Sequence, residues 1–328
     1  MSLRLPCVAS REAPLRLRAR RAGKPWLTKG ALAKSALAKT ALGCALALGL
    51  VGCSGASGRS EGAALAPGHP RIVSLNPCTD AVLAEVSVPG QLLAISSYSH
   101  DPASTSMGLA EASRYRGVSG SVEEIAALDP QVVVASSFLP PTTLHALEDL
   151  GIRVVREPIV TDVAGAKAQI RTLAALTGER AAGERLVARI DKALADSAPP
   201  PGWKPVPALV WQSAGLVAGN DALVMDLVRH AGFTNAAAAR GLGQADYLPL
   251  EQVLADPPGV IFAAGNPLAE EDRVLRHPAL AELDHTARFS LSRSLLWCAG
   301  PTVPRLLDRL AQARRSLAHG STAKGAGE

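Results

Sequence analysis

One pattern of residues occurs twice in this chain, at positions that differ by 128. The first copy spans residues 123–134 and the second spans residues 251–262. Each copy begins with a glutamate, Glu123 or Glu251, where a helix dipole favours a carboxylate. A short helix then reaches a proline that cannot continue it, and an apolar strand follows. One joint of this kind is common wherever helices alternate with strands, but the shared register at four positions indicates two related lobes.

Apolar runs and helical segments alternate along the chain from Arg71 onward. Short apolar runs predict buried strands, and the segment 142–150, which is followed by Gly151, predicts a helix. The predicted strands of the first lobe lie at residues 72–75, 92–95, 132–135 and 152–155. Strands and helices in alternation predict an α/β fold in which helices cover both faces of each sheet.

The segment between the two alternating regions has helical periodicity. Apolar residues recur at helical spacing from Thr161 to Ala195, with one interruption at 177–178. If this segment is mostly continuous, a helix of about 30 residues is about 45 Å long, enough to cross a domain. Alternation resumes at Ala208, after the break at 199–202. The sequence therefore predicts two Rossmann-like α/β lobes bridged by one long helix, with a ligand cleft between the lobes.

The first 52 residues have the features of a bacterial export signal. Basic residues precede an apolar run, Ala41–Leu50, that is too short to span a bilayer. The next residues, Val51-Gly52-Cys53, complete a segment that resembles the lipobox, where a signal peptidase cuts before a cysteine that then carries lipid. A buried core cysteine is a weaker alternative, because a Gly/Ser tract typical of a flexible tether follows at once. We expect a periplasmic protein anchored to the membrane by lipidated Cys53.

The sequence predicts six segments: a signal peptide (1–52), a flexible tether (53–68), an N-terminal α/β lobe (69–160), a bridging helix segment (161–198), a C-terminal α/β lobe (199–320) and a disordered tail (321–328). The positive charge of the chain is concentrated in the first of them. The whole chain carries a formal charge of +5, with 34 Lys and Arg residues, but ten of these residues lie in the signal peptide. The remainder is slightly acidic, which removes the main support for nucleic-acid binding.

Two cysteines, Cys78 and Cys298, remain in the predicted exported domain, because Cys7 and Cys44 leave with the signal peptide. An oxidising compartment permits a disulfide between them. Both follow predicted strands and are expected near the cleft. A disulfide needs Cα atoms within about 7 Å of each other, and such a bond across an open cleft would hinder its closure. We therefore expect two separate thiols, with a disulfide as the alternative.

Five segments, in their order and spacing, resemble class III solute-binding proteins of ABC importers for cobalamin, ferric siderophores and haem. They are Arg71-Ile-Val-Ser-Leu-Asn-Pro-Cys-Thr-Asp80, Ser96-Ser-Tyr98-Ser, Glu123-Glu-Ile-Ala-Ala-Leu-Asp-Pro130, Leu248-Pro-Leu-Glu251 and Trp297-Cys-Ala-Gly-Pro301. The resemblance covers residues 69–317. It implies two lobes bridged by a rigid helix, small closure on binding, and delivery of a small-molecule metal chelate by a monomer to an ABC permease and its ATPase. No resident cofactor is expected.

The resemblance also points to ligand-facing aromatic residues, since Tyr98, Tyr115 and Trp297 coincide with positions that the cobalamin-binding members use. Aromatic faces hold large planar ligands with much buried area. Tyr98 and Trp297 each follow a predicted strand, one in each lobe, and we expect both to contact ligand. Tyr115 lies in the loop before the first repeat, and its role stays open between ligand contact and packing. Trp211 and Phe138 are expected to be structural.

Charged residues near the predicted cleft bear on the choice of ligand. Arg114, Arg116 and Arg293 flank it, and guanidinium groups pair with oxygens of anionic iron chelates; solvated surface arginines are the alternative. The histidines of the chain are scattered without the spacing of metal ligands, and only His100-Asp101 lies near the cleft. A free metal ion is therefore a weaker alternative than a chelate. The ligand stays open between cobalamin, a hydroxamate or catecholate siderophore, and haem.

Catalysis is the alternative from another functional class. The sequence has no P-loop, no Gly-x-Gly-x-x-Gly after a strand and no His-Glu-x-x-His. An exported α/β enzyme whose catalytic residues meet only in space remains possible in principle. We expect binding rather than catalysis.

The repeated glutamates, Glu123 and Glu251, have a further implication. In the family that the chain resembles, glutamates at these two positions dock on arginines of the permease. The resemblance therefore implies a permease-docking role for both residues.

Overall fold

Residues 66–266 and 269–318 are described by the computed structural model. The predicted signal peptide, Cys53, most of the tether and the tail at 321–328 lie outside the described residues. No helix in the two described ranges is both long and apolar enough to cross a lipid bilayer.

The first lobe is built on a parallel sheet of five strands in the order β3-β2-β1-β4-β5. Its strands are β1 (Ile72–Ser74), β2 (Leu92–Ser96), β3 (Arg116–Val118), β4 (Val132–Ser136) and β5 (Arg153–Glu157). Its helices are α1 (Pro77–Val86), α2 (Leu109–Ala112), α3 (Val122–Ala126) and α4 (Pro141–Asp149). Helices cover both faces of this sheet, which explains why its central strands are continuous apolar runs.

The second lobe is built on a parallel sheet of four strands in the order β7-β6-β8-β9. Its strands are β6 (Val206–Gln212), β7 (Phe233–Asn235), β8 (Val260–Ala264) and β9 (Ala287–Leu291). Its helices, numbered after the two that connect the lobes, are α7 (Leu223–His230), α8 (Leu250–Ala255) and α9 (Thr302–Ala318). The predicted α/β fold with two lobes is confirmed.

The repeated sequence pattern corresponds to a repeated structural unit. Helix α3 leads into β4 in the first lobe, and α8 leads into β8 in the second. Strand β4 lies between β1 and β5, while β8 lies between β6 and β9, so the two joints occupy equivalent places. The apolar residues that anchor the two helices, Ile125 and Val253, are fully buried. The first sheet has one additional strand, β3, at its edge.

The prediction of one long bridging helix is wrong. Two helices, α5 (Val163–Thr177) and α6 (Arg180–Ser197), fill this segment and are separated by Gly178, which has a left-handed conformation with φ of 84°. Arg171 pairs with Glu184, and Lys167 pairs with Asp191, so the two helices run antiparallel. The left-handed residue ends α5 and reverses the chain, as glycine commonly does at a helix C-terminus.

The two lobes share one hydrophobic core. A single cluster of buried side chains includes residues of α1, α5 and α6 as well as residues of α7 and α9 in the second lobe. Gly300, at the start of α9, lies so close to α1 that a Cβ atom there would be 2.7 Å from Val82 Cγ2. Buried Arg314 donates hydrogen bonds to the carbonyl oxygens of Ser197 (2.6 Å) and Ala231 (2.7 Å), at the ends of α6 and α7. The lobes are thus joined by packing as well as by the chain.

Candidate functional site

The carboxyl ends of the strands in each sheet carry the candidate site. Tyr98 lies in a turn of 3-10 helix, Ser97–His100, directly after β2, and its side chain is 65% exposed. Trp297 lies between β9 and α9, and its side chain is 54% exposed. Parallel α/β sheets place their ligands at this edge, and exposed aromatic side chains there offer wide apolar faces to a ligand.

A buried carboxyl group positions the turn that carries Tyr98. Asp80, on α1, has no exposed surface, and its Oδ2 accepts hydrogen bonds from the Ser96 amide (3.0 Å) and the Ser99 hydroxyl (2.6 Å). Burial raises the pKa of Asp80 to about 7, although these hydrogen bonds lower it. Asp80 therefore anchors the turn on both sides of Tyr98 in the sequence, at Ser96 and at Ser99.

A disulfide joins Cys78 to Cys298, with the two Cα atoms 4.8 Å apart, so the prediction of two separate thiols is wrong. Cys78 lies in the first turn of α1, and Cys298 precedes α9. The prediction placed both residues on opposite walls of an open gap. They instead lie where Gly300 of the second lobe contacts α1, so no gap has to close there. The disulfide also fixes the neighbouring residue, Trp297.

Phe138 belongs to the candidate site, and its prediction as a structural residue is wrong. It follows β4, and its side chain is 73% exposed. One hollow of about 190 Å³ is lined by Phe138, Ile159 and Trp297, among others, and therefore has walls from both lobes. A second hollow, of about 310 Å³, is lined by Phe138 together with Tyr98. Phe138 thus connects Tyr98 with Trp297, which share neither hollow.

The other two aromatic residues lie apart from these hollows. Tyr115 is partly buried and packs against the shared core, and burial raises the pKa of its hydroxyl. Its carbonyl oxygen accepts a hydrogen bond from His100 Nε2 (3.3 Å). It lines neither hollow, and its contact with ligand stays a prediction. Trp211 is fully buried in the second lobe, and its ring N–H donates to the Leu248 carbonyl (3.1 Å).

The floor of the smaller hollow carries two polar residues that the sequence did not single out, Glu157 and Gln169. Glu157 ends β5 and is 7% exposed, and burial raises the pKa of its carboxyl group. Gln169, on α5, donates through Nε2 to Glu157 Oε2 (3.3 Å) and to the Pro158 carbonyl (3.4 Å). The sequence signal was present but weak, since a carboxylate at the end of an apolar strand is common.

The arginines near the cleft differ in their surroundings. Arg114 and Arg116 are exposed. Arg293 is partly buried and acts on Asp101 of the first lobe: the Ala103 amide and the Ser104 hydroxyl hold the pKa of Asp101 below its usual range, and Arg293 lowers it further. The part of the chain that the structure describes contains no group of three or more His, Cys, Asp or Glu residues arranged to hold a metal ion.

Comparison with known proteins gives the family. The family profile described as "Periplasmic binding protein" matches residues 72–287, which is most of the chain. The chain belongs to this family. Members are substrate-binding proteins of transporters rather than enzymes, they bind small ligands, and they typically work with an ABC permease and its ATPase. The expectations of a class III binding protein, of a periplasmic location and of binding rather than catalysis are confirmed.

Solved structures with the same fold include three binding proteins. The heme-binding protein RhuT from Roseiflexus sp. RS-1 is 22% identical, with 75% of this chain and 98% of that chain covered and a TM-score of 0.58. The heme-binding protein HutB of Vibrio cholerae is 19% identical, with coverage of 74% and 98% and a TM-score of 0.60. The vitamin B12 binding protein BtuF of Vibrio cholerae is 19% identical, with coverage of 79% and 99% and a TM-score of 0.55. A search of the curated proteins gave no match.

The repeated glutamates of this binding protein are exposed at equivalent places. Glu123 and Glu251 are each the second residue of their helices, α3 and α8. Within the described residues, neither carboxylate has a hydrogen bond or an ion pair with another side chain. The neighbouring Glu124 instead accepts hydrogen bonds from the Ser119 amide and hydroxyl. Glu251 also borders an open depression of about 1080 Å³ on the second lobe. The docking role stays a prediction.

Proposed function

We propose that this binding protein captures a metal chelate of the cobalamin or ferric-siderophore type in the cleft between its lobes and delivers it to an ABC permease. The observation that carries the proposal is the set of exposed aromatic side chains at the carboxyl ends of both sheets: Tyr98 and Phe138 on the first lobe and Trp297 on the second. Among the described residues, Tyr247 is the only other Tyr, Trp or Phe whose side chain is more than half exposed.

Aromatic walls suit a ligand with a wide apolar face. Burying one such side chain against a ligand contributes about 1 to 3 kcal/mol when the contact is well packed. The two hollows beside Phe138, of about 190 and 310 Å³, offer space for groups that project from the ligand's edge. A free metal ion needs neither aromatic walls nor this volume, since its affinity comes from clustered donor atoms.

A titration with four chelates tests the proposal. Cobalamin, a ferric hydroxamate, a ferric catecholate and haem are added to the protein, and tryptophan fluorescence and visible absorbance are followed. We expect saturable binding of one chelate at one site, with the ligand recovered unchanged. Binding of haem alone would replace the proposed ligand class while leaving capture intact. A ligand that is chemically converted would contradict a binding function.

We also propose that the protein works from a lipid anchor at Cys53, as a monomer. The support is the lipobox-like segment and the Gly/Ser tract that follows it. Cys53→Ser should leave a full-length precursor and shift any processed protein from the detergent phase to the aqueous phase in detergent partitioning. A matched control is Cys44→Ser, which changes a cysteine inside the predicted signal peptide and should not alter partitioning. Unchanged partitioning of Cys53→Ser would refute the anchor.

Docking on the permease is proposed for Glu123 and Glu251. The support is their equivalent position in the two lobes, their exposure and the absence of partners for their carboxylates within the described residues. The helix dipole accounts for one glutamate at a helix start, with a contribution of about 0.3 to 1 kcal/mol. It does not account for two unpaired carboxylates in the same register of both lobes. Exposed charges of this kind mainly set the orientation and the rate of association.

A further inference from the structure

The floor of the cleft holds a carboxyl group without a cation. Glu157 is 7% exposed and lines the 190 Å³ hollow that both lobes form. Its Oε2 accepts one hydrogen bond, from Gln169 (3.3 Å), while Oε1 has no hydrogen-bond partner in residues 66–266 and 269–318. No salt bridge joins Glu157 to a Lys, Arg or His in the same ranges. Oε1 is not among the buried polar atoms that lack a partner in these ranges, so it is accessible to a small molecule rather than sealed in the protein interior.

A structural role explains only half of this arrangement. Gln169 also donates to the Pro158 carbonyl (3.4 Å), so the pair of Glu157 and Gln169 ties α5 to the end of β5. That role uses Oε2 alone. A glutamine at position 157 would accept the same hydrogen bond from Gln169 without burying an acid. The other oxygen, Oε1, is free for a ligand, and Glu157 lines the hollow together with Phe138 and Trp297.

Resting on the proposed function, we propose that Glu157 forms a polar subsite that accepts an N–H donor from the edge of the ligand. The ligand class that this chemistry recognises is a planar chelate whose edge carries primary amides, as a corrinoid does. A chelate whose edge carries carboxylates, as haem does with its propionates, would place two acidic groups together in the same buried hollow. Glu157 therefore selects amide-edged over carboxylate-edged chelates.

A pair of ligands that differ at the edge of one ring isolates this effect. Dicyanocobinamide keeps the amides of the corrin edge, whereas dicyanocobyrinic acid carries carboxylates in their place, with the same metal and ring. Their dissociation constants are measured at pH 8 by equilibrium dialysis with the full chain in mild detergent. We expect the wild type to bind the amide form at least about tenfold more tightly, because hydrogen bonds to charged groups are the stronger class.

Substitution of the glutamate assigns the preference to one residue. Glu157→Gln keeps the size and the hydrogen bond with Gln169 but removes the charge, and it should bring the two dissociation constants to within about threefold of each other. Glu148→Gln is the matched control, since Glu148 is exposed on α4, and it should keep the wild-type ratio. Circular dichroism melting checks that both variants fold, and the wild-type ratio is informative without any variant.

The outcomes separate the subsite from the general function. A wild-type ratio near one, or a ratio that Glu157→Gln leaves unchanged, would overturn the subsite while capture of chelates stands. Tight binding of haem that is unaffected by Glu157→Gln would overturn it as well. Failure of every chelate to bind would overturn the proposed function and the subsite together.

Discussion

Removal of the disulfide between Cys78 and Cys298 should destabilise the protein strongly. The bond closes a loop of 220 residues, and in the chain-entropy model a loop of that length restricts the unfolded state by about 5 kcal/mol. Native disulfides usually contribute about 2 to 5 kcal/mol when measured. We therefore expect the double variant Cys78→Ser/Cys298→Ser to lose about 3 to 5 kcal/mol of unfolding free energy, in the upper part of that range.

Denaturation in urea measures this loss. For a urea slope of about 2 to 3 kcal/mol/M, the midpoint should fall by about 1 to 2.5 M. Reductant should move the wild type toward the same midpoint and leave the double variant unchanged, which separates the bond from any effect of the serines. Ligand affinity should also fall, because Trp297 adjoins Cys298 and loses a fixed neighbour. An oxidised wild type and a double variant with the same midpoint would refute the reasoning.

Three further outcomes are expected. Tyr98→Ala and Trp297→Ala should each weaken ligand binding by about 1 to 3 kcal/mol with little change in melting temperature, since both side chains are exposed; a large loss of melting temperature with intact affinity would assign them to packing. Glu123→Ala with Glu251→Ala should keep ligand affinity but slow permease association and uptake, and salt should slow the wild type more than the variant; normal uptake at normal expression would contradict docking. Burial raises the pKa of Asp80 from 3.8 to about 7. Its contribution to the unfolding free energy should be fully present below about pH 4 and should be lost as the pH rises through 7, with a total loss of up to about 4 kcal/mol. Urea unfolding of Asp80→Asn should lack that part of the pH dependence, and identical pH profiles would show that Asp80 is ionised in the fold.

The parts of the fold that could be predicted are those set by local patterns. The register shared by residues 123–134 and 251–262 predicted two related lobes, and β4 and β8 occupy equivalent places in the two sheets. Strand β3 was missed because Arg116-Gly-Val118 is short and lies at a sheet edge, where pairing with β2 rather than burial defines it. The prediction of one long bridging helix failed at Gly178, because the helical periodicity on either side does not reveal that the chain reverses there.

The candidate site was predicted where a rule about strand ends applied. Tyr98 and Trp297 were chosen because each follows a predicted strand and coincides with a position that the cobalamin-binding members use. Phe138 also follows a strand, β4, and the strand-end rule alone would have selected it. The disulfide was not predictable, because 220 residues separate its cysteines and only the tertiary contact of Gly300 with α1 brings them together. The sequence signal for Glu157 was only weak, since its burial depends on α5 packing over the end of β5.

The joined lobes bear on how a ligand is captured. A cleft between freely hinged lobes has to order both walls on binding, and that ordering opposes affinity. In this protein the shared core, the disulfide and the close approach of Gly300 to α1 hold the walls near each other before ligand arrives. Asp80 anchors the backbone of the turn that carries Tyr98, and the disulfide anchors the residue after Trp297, so the backbone that carries both aromatic residues needs little rearrangement. We therefore expect affinity to depend mainly on the shape and edge chemistry of the ligand, with only a small closure between the lobes.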